Sequence, residues 1–146
     1  MVAEVVFKEQ STLFAPDFEL IRSTMNFYVD LIKKVTPWLT PDLLKPEYRT
    51  ANMFNPMFGH CYVASEVIYH MLNKKVQPYY GRDKNGIVHW WLVDEKLNIR
   101  IDATCDQYYS QNEEPPYENG VRSSFLTNDP SKRCLTVMER MKDANV

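Results

Sequence analysis

Residues 55–72 read NPMFGHCYVASEVIYHML and mark the point where a proline-containing loop changes into an amphipathic helix. Apolar residues recur here at three- and four-residue spacing, which is the repeat of a helix with one buried face. The buried stripe consists of Ala64, Val67, Ile68, Met71 and Leu72. Cys61 stands one turn before this stripe, two residues after Gly59. The sequence therefore predicts a helix from about Cys61 to Lys74 that begins with a cysteine.

Helical patterns also precede this stretch. Residues 17–35 carry apolar side chains on one stripe and predict a long helix. Thr40 and Pro41 are typical of an N-cap and a first helical position, so a short helix is expected there and ends at Pro46. Residues 45–58 contain two prolines and two asparagines and predict a loop.

Short alternating runs follow the cysteine helix, at residues 76–82, 86–93 and 97–102. Asn85-Gly86 between the first two runs is a strong signal for a hairpin turn. The polar segment 110–129 holds Pro115-Pro116 and predicts a long surface loop, and a terminal helix is expected after Asp129-Pro130. These elements predict an α+β fold in which N-terminal helices and the cysteine helix pack on a small antiparallel sheet.

The last hairpin can be given a register. A two-residue turn at Glu95-Lys96 places His89 opposite Asp102 and, on the same face, Trp91 opposite Arg100. The other face is then apolar and consists of Trp90, Leu92, Ile99 and Ile101. A slip of one residue would mix the two faces. Opposed Cβ atoms lie roughly 4.5–5.5 Å apart, so a hydrogen bond between the imidazole and the carboxylate is predicted.

Nucleophilic cysteine catalysis needs a thiol, a base and a group that orients the base, and the sequence offers Cys61, His89 and Asp102. A thiol at a helix N-terminus is favoured as thiolate by the positive end of the helix dipole. We predict Cys61 as nucleophile, His89 as general base and then acid, and Asp102 as the residue that orients the imidazole. The same three residues are zinc ligand types, but they include no local ligand pair, so neither a metal nor another cofactor is expected.

The order cysteine, histidine, aspartate on helix, strand and strand resembles the papain-like and transglutaminase-like core. A closer resemblance is to a small family of bacterial and phage proteins called YunG-like. The matching residues are Asn55, Pro56, Gly59, Cys61, His89, Trp90, Trp91, Asp102, Thr104, Gln107 and Tyr108. They span residues 55–108, roughly a third of the chain, and imply a single cysteine-hydrolase-like domain over residues 1–146.

The resemblance also implies residues on the oxyanion or substrate side of the site, which are Asn55, Gly59, His60, Trp91 and Gln107. Papain-like enzymes place a side-chain amide six residues before the cysteine, and Asn55 holds that position. It would stabilise an oxyanion with the backbone N–H of Cys61, or instead cap the loop before Pro56. His60 is expected on the substrate side or as a cap, and Trp91 is expected near the site because it shares the His89 face.

Four further residues are not expected to take part in the site. Cys105 and Cys134 are expected in the core, since free cysteine is among the most often buried residue types. Glu66 and His70 are spaced four residues apart on the outer side of the cysteine helix and are expected to be solvated.

Composition narrows the function classes. The 146 residues carry a net charge of −2 and no run of lysine or arginine, so nucleic acid is not an expected partner. The N-terminal MVAEVVFKEQ is unlike a signal peptide, and no apolar run reaches membrane-spanning length. Three cysteines form an odd set without a CxxC pair, which favours reduced thiols in the cytoplasm.

Two functions follow from these patterns. The first is a hydrolase or acyl transferase that acts on an amide, isopeptide or thioester bond of a protein or peptide-like substrate. The alternative is a catalytically inactive module of the same fold that binds a protein partner, possibly in a phage–host setting.

Overall fold

The computed structural model describes residues 4–9 and 15–144 of the chain. Within them are five α-helices and five strands. The helices are α1 (Phe18–Val35), α2 (Pro46–Phe54), α3 (Cys61–Met71), α4 (Asp106–Tyr109) and α5 (Lys132–Ala144). The strands are β1 (Glu4–Phe7), β2 (Gln77–Arg82), β3 (Val88–Asp94), β4 (Ile99–Asp102) and β5 (Val121–Arg122). Single 3-10 turns lie at Thr36–Trp38, Pro41–Leu43 and Tyr117–Asn119. The predicted α+β class is confirmed.

The five strands form one antiparallel sheet in the order β1-β4-β3-β2-β5. The apolar face of β3 and β4 presents Leu92, Ile99 and Ile101 to a core shared with α1, α3 and α5. The opposite face carries His89 and Trp91 and is covered by the chain that follows β4. The sheet therefore separates an apolar core from a layer that holds its polar residues.

Helix α1 forms as its apolar spacing predicts. The side chain of Asp17 caps it by accepting the N–H of Leu20 at 3.0 Å. An aspartate in this position typically stabilises a helix by about 0.5–2 kcal/mol. The buried residues of α1 are Ile21, Tyr28, Leu31, Ile32 and Val35. The predicted helix over residues 17–35 is thus confirmed to within one residue.

The prediction of a loop over residues 45–58 is wrong for its first part, because Pro46 begins α2 rather than ending a helix. Proline has no N–H to donate, so it is tolerated in the first helical turn, where that group has no intrahelical acceptor. Lys45 before it is extended, with ψ at 146°, as a residue preceding proline prefers.

Two edge strands were not predicted. β1 pairs with β4, from Glu4 opposite Asp102 to Phe7 opposite Ile99. β5 pairs with β2 inside the segment 110–129, which was predicted to be a loop. Its two residues are too few to show an alternating pattern, and both are exposed. Both strands cover backbone groups of their neighbours that would otherwise be free to pair with another chain.

The predicted register of the β3–β4 hairpin is wrong by two residues. Leu92 pairs with Ile101 and Asp94 with Ile99. The connection spans four residues, because the Asp94 carboxylate accepts the N–H of Leu97 at 3.1 Å and Asn98 adopts a φ of +58°. An even shift leaves every side chain on its predicted face.

Candidate functional site

The turn before α3 depends on Gly59. Its φ is +86°, a region that residues with a side chain rarely adopt, and a Cβ there would lie 2.8 Å from Leu44 Cδ2. The Asn52 amide holds the same turn by donating to the carbonyl oxygens of Pro56 at 2.9 Å and Phe58 at 3.0 Å. These contacts fix the direction in which the chain enters α3.

Cys61 is the first residue of α3, as predicted. Its thiol is almost buried and lies 3.9 Å from the carbonyl oxygen of Val88, at the start of β3. No side chain among the described residues caps this helix. The backbone N–H groups of its first turn therefore remain available at the positive end of the helix dipole. The helix ends at Met71, before two residues with positive φ, Asn73 and Lys74.

His89 and Asp102 form a buried pair. His89 Nε2 lies 2.7 Å from Asp102 Oδ2, and the side chains are 0% and 1% exposed. The pair forms despite the shifted register, since diagonal neighbours on one face of a sheet remain within reach of long side chains. The remaining acceptor positions of Asp102 are also used. Its Oδ2 accepts the Tyr117 hydroxyl at 2.7 Å, and its Oδ1 accepts the Thr104 N–H at 3.0 Å.

The electrostatics of this pair favour two charged partners. Burial opposes a charge on His89, but the Asp102 carboxylate and Cys61 outweigh it and raise the pKa of His89 to about 10. Burial likewise opposes a charge on Asp102, yet His89, Tyr117 and Thr104 hold the pKa of that carboxyl below its usual range. Nδ1, the ring nitrogen that Asp102 leaves free, has no partner in full hydrogen-bonding geometry among the described residues.

Aromatic rings fix the orientation of the His89 imidazole. Trp91 stacks on it with 5.9 Å between ring centroids, and Tyr108 meets it edge-on at 4.9 Å. Tyr108 is held in turn by Asp83, which accepts its hydroxyl at 2.9 Å. Trp91 is buried and does not border the cleft at Cys61. Its place beside His89 agrees with the prediction that it lies near the site.

Tyr117 is a site residue that the sequence analysis missed. Its ring lies under the guanidinium of Arg100 at 3.6 Å, and Arg100 forms an ion pair with Glu4. The loop that carries it can approach the sheet because residue 81 is glycine, where a Cβ would lie 2.6 Å from the carbonyl oxygen of Pro116. Nothing in the spacing of the 110–129 segment signals this contact.

The Asn55 amide has a partner that was not predicted. Its Nδ2 donates to the backbone carbonyl of Gln107 at 2.7 Å, and its Oδ1 accepts the Ser110 hydroxyl at 3.3 Å. Asn55 therefore ties the turn before α3 to α4. Gln107 is brought to the cleft beside Cys61, is 7% exposed, and its buried Oε1 has no partner among the described residues.

His60 occupies the N-cap position of α3, but its side chain makes no capping hydrogen bond. The ring is buried, and both of its nitrogens lack a hydrogen-bond partner in the described part of the chain. Burial and, to a smaller extent, the charge of Arg133 lower the pKa of His60 to about 4, and Asp42 opposes this shift only in part. The imidazole is thus neutral, and it does not border the cleft at Cys61.

Glu66 was predicted to be solvated, which is wrong. Its side chain is fully buried and accepts the Ser131 N–H at 2.8 Å and the Ser131 hydroxyl at 2.6 Å, just before α5. Cys105 and Cys134 are buried as predicted. Burial, together with nearby carboxylates, raises the pKa of both thiols to about 12.

A cleft of about 430 Å³ opens beside Cys61. Its lining consists of Leu44, Lys45, Tyr48, Phe58, Gly59, Cys61, Tyr62, Ile87, Val88, Trp90, Gln107 and Arg133. Cys61, Gly59 and Gln107 are the predicted site residues that it includes. Trp90 was expected on the apolar face of the hairpin, and it borders this cleft instead of lying fully in the core.

Across residues 4–9 and 15–144, no group of three or more histidine, cysteine or acidic side chains is arranged to hold a metal ion. None of the described helices combines the length and the apolar character that crossing a membrane requires. Comparison with known proteins gives no significant match to a protein-family model, to a curated protein or to a solved structure.

Proposed function

We propose that this chain is a cysteine-dependent hydrolase or acyl transferase that acts on an amide, isopeptide or thioester bond. The observation that carries the proposal is the buried His89–Asp102 contact beside a helix that begins with Cys61. The order of these residues on helix, strand and strand supports a papain-like or transglutaminase-like core and a YunG-like relationship. None of the three cysteines is in a disulfide, which favours a cytoplasmic location.

A purely structural role explains this cluster less well. A buried ion pair stabilises a fold little or not at all compared with apolar residues of the same volume. The buried Nδ1 of His89 has no partner in full hydrogen-bonding geometry among the described residues, and a structural role leaves this unexplained. Among the three cysteines, Cys61 is the one that borders a cleft. Nucleophilic chemistry accounts for all three features.

The charges determine the order of proton transfers. Because the pKa of His89 is raised, the imidazolium is the resting form at neutral pH. In the proposed mechanism this cation favours the nucleophilic form of the neighbouring thiol. His89 then acts as an acid in the first step, before it acts as a base, which reverses the order predicted from the sequence. Asp102 and Tyr117 keep the Nε2 side of the ring fixed throughout.

In the acylation step, the Cys61 thiolate forms a bond to the carbonyl carbon and the carbonyl electron pair moves to oxygen. The backbone N–H of Cys61, at the positive end of α3, would stabilise that oxyanion. The oxyanion then collapses, the bond to the leaving amine or thiol breaks, and the leaving group takes the Nδ1 proton of His89. Asn55 contributes by positioning Gln107 rather than by direct donation.

In the second step, neutral His89 removes a proton from water or from an acceptor amine, which attacks the thioester carbon. The oxyanion that forms collapses and releases Cys61 as thiolate. Water as acceptor makes the chain a hydrolase, and an amine makes it an acyl transferase.

Alkylation by iodoacetamide, followed at each cysteine by mass spectrometry from pH 5 to pH 10, tests the proposal. We expect Cys61 to react at pH 6.5 at least about 100-fold faster than Cys105 and Cys134, whose thiols are protonated and buried. His89→Ala should remove this advantage. His70→Ala is the matched control and should keep it. Equal rates at all three cysteines of the folded protein would refute the proposal.

The chemical step is tested with a peptide thioester and a peptide amide. We expect an acyl group on Cys61 of the wild-type protein, detected as a mass increase after acid quenching, and none on Cys61→Ser. Acylation of another residue at the same rate in both proteins would contradict the assignment of Cys61.

The alternative, a module that works by binding a protein partner, is favoured by exposed apolar side chains on α2. Met53 is 78% exposed and Phe54 is 80% exposed. In that case Cys61→Ala would leave the biological effect intact, whereas Met53→Ser with Phe54→Ser would remove it. The enzyme proposal gives the opposite result for both variants.

A further inference from the structure

The cleft beside Cys61 combines aromatic walls with two cations. We propose that it is the substrate subsite of the enzyme and that it takes a peptide segment carrying an apolar side chain and a carboxylate. This inference rests on the proposed function, because it takes Cys61 as the attacking group. The volume of about 430 Å³ falls in the roughly 300–1,000 Å³ range of ligand pockets.

Aromatic rings supply the apolar part of the cleft. Tyr62 and Trp90 meet edge-on with 5.1 Å between centroids, and Tyr48 packs against Phe58 at 6.0 Å. Both pairs border the cleft rather than closing into the core. Rings held in place by their neighbours lose little conformational freedom when a ligand binds, so they favour an apolar or aromatic side chain.

The charged residues bordering the cleft are Lys45 and Arg133, and no acidic residue borders it. Neither cation forms an ion pair with a carboxylate in the described part of the chain. Arg140, two turns along the same helix as Arg133, is by contrast paired with Asp42 at 2.6 Å. One N–H of Arg133 donates to the carbonyl oxygen of Leu43 at 3.5 Å, a long contact, and the guanidinium has further N–H groups to offer. These can bind an external carboxylate, which guanidinium groups recognise through two parallel hydrogen bonds.

Gln107 provides the independent sign of a ligand. Its side chain is 93% buried, borders the cleft, and has an Oε1 atom without a hydrogen-bond partner among the described residues. A buried acceptor left unpaired costs free energy, and a backbone N–H of a bound peptide would remove that cost. The cleft thus suits three groups, which are an N–H donor, an apolar side chain and a carboxylate. A peptide can supply all three.

The carboxylate has two sources in a peptide, which are an acidic side chain and a free C-terminus. Both present the same group to Arg133, so the geometry of the cation alone does not select between them. Paired peptides with amidated and free C-termini separate the two sources in one experiment.

Binding is measured on the full-length Cys61→Ala protein, so that the result does not depend on catalysis. The probes are fluorescein-labelled hexapeptides with a central Phe-Glu, Phe-Gln or Phe-Lys pair, each with an amidated or free C-terminus, followed by fluorescence anisotropy. We expect the peptides that carry a carboxylate to bind about tenfold more tightly than their uncharged counterparts, with the difference decreasing as salt is added.

Substitutions identify the residues that cause the tighter binding of peptides with a carboxylate. Arg133→Gln should remove most of it, and Arg133→Lys should retain part of it through the conserved charge. Lys45→Gln should reduce it by a smaller factor, because the lysine is more exposed. Lys132→Gln, the neighbouring cation on α5 that does not border the cleft, is the matched control and should leave it unchanged. Circular dichroism verifies that each variant is folded.

Equal binding of acidic, neutral and basic peptides would overturn the inference. So would an acid preference that survives Arg133→Gln and Lys45→Gln, or tighter binding of a fluorescent dinucleotide than of the acidic peptides. The iodoacetamide experiment judges the proposed function separately. A reactive Cys61 in a protein without an acid preference refutes the subsite and not the enzyme, and an unreactive Cys61 with the preference intact refutes the enzyme and not the binding cleft.

Discussion

His60 and His89 are both buried, at 1% and 0% exposed, and both belong to the surroundings of Cys61, yet they are held in opposite charge states. His89 has a carboxylate at 2.7 Å and a pKa raised to about 10. His60 has no hydrogen-bond partner among the described residues, and its pKa is lowered to about 4. Burial works against the charge on both rings, so the carboxylate makes the difference.

The comparison shows that adjacency along the chain does not select the histidine that serves a cysteine. His60 is covalently next to Cys61, but the charges that act on its ring are those of Arg133 and Asp42. His89 lies 28 residues later, on β3, and is paired with the carboxylate of Asp102. A buried imidazole with no anion stays neutral, whereas one beside an anion is charged in its resting form and can stabilise a thiolate.

Asp102→Asn should change the difference between His60 and His89 more than any other substitution. Without the carboxylate, His89 loses the charge that offsets its burial, so the two histidines should become alike and neutral. We expect turnover, and iodoacetamide labelling of Cys61 at pH 6.5, to fall by orders of magnitude in a folded protein. Nuclear magnetic resonance titration of the imidazole protons provides the direct measurement. An unchanged His89 pKa in Asp102→Asn would show that the carboxylate is not its cause.

The pH dependence of stability should separate the two histidines. The folded-state pKa of His89 lies above the unfolded value of about 6.5, so its contribution is present below pH 6.5 and is lost as the pH rises toward 10. The folded-state pKa of His60 lies below that value, so its contribution is present above pH 6.5 and is lost as the pH falls toward 4. Each slope is at most about 1.4 kcal/mol per pH unit.

Urea unfolding between pH 4 and pH 10 measures both slopes. We expect Asp102→Asn to flatten the alkaline side alone and His60→Leu to flatten the acidic side alone. A flattening of the same side by both variants would mean that the two rings titrate as one group.

Tyr117→Phe should have a moderate effect. The phenylalanine ring can keep its place under Arg100, while Asp102 loses one of its donors. Tyr117 is a positioning residue, since it acts through Asp102. We expect turnover to fall by roughly three- to tenfold, which is less than the full value of one hydrogen bond to a charged group, because Asp102 keeps its contact with His89. We also expect the pH profile of Cys61 labelling to shift, which loss of packing alone would not cause. Tyr109→Phe is the control, because its hydroxyl binds Glu4 instead.

His60→Leu should have the smallest effect. Within residues 4–9 and 15–144 the ring has no hydrogen bond that would be lost, and leucine has a similar volume, so stability at pH 7 should be unchanged or slightly higher. The labelling rate of Cys61 should also stay within about twofold. A tenfold loss of labelling in a stable His60→Leu protein would show that the adjacent histidine contributes to the site after all.

The His89–Asp102 pair could be predicted because strand alternation survives an error of two residues. Whatever the turn, both residues remain on one face of β3 and β4, and their side chains are long enough to meet. The start of α3 was predictable for a similar reason, since Gly59 and the apolar stripe are local signals. Local rules were sufficient where the contact lies within one hairpin or one helix.

Other contacts depend on segments that are distant in the sequence. Glu66 looks like a solvated residue until Ser131 supplies two donors, 65 positions later. Tyr117 reaches Asp102 only because Gly81 on another strand leaves room for its loop. Asn55 was assigned by its distance from Cys61 along the chain, but its amide partner is set by where α4 packs. Such partners are determined by tertiary packing, and residue type alone does not predict them.

The Glu66–Ser131 contact has a consequence for how the chain is synthesised. The helix with Cys61 is translated long before the residues that satisfy its buried carboxylate. Until residue 131 leaves the ribosome, Glu66 has neither of those donors, and α3 cannot close fully over its core without burying an unpaired charge. In the nascent protein the packing around Cys61 would therefore stay incomplete while the segment between α3 and residue 131 is translated.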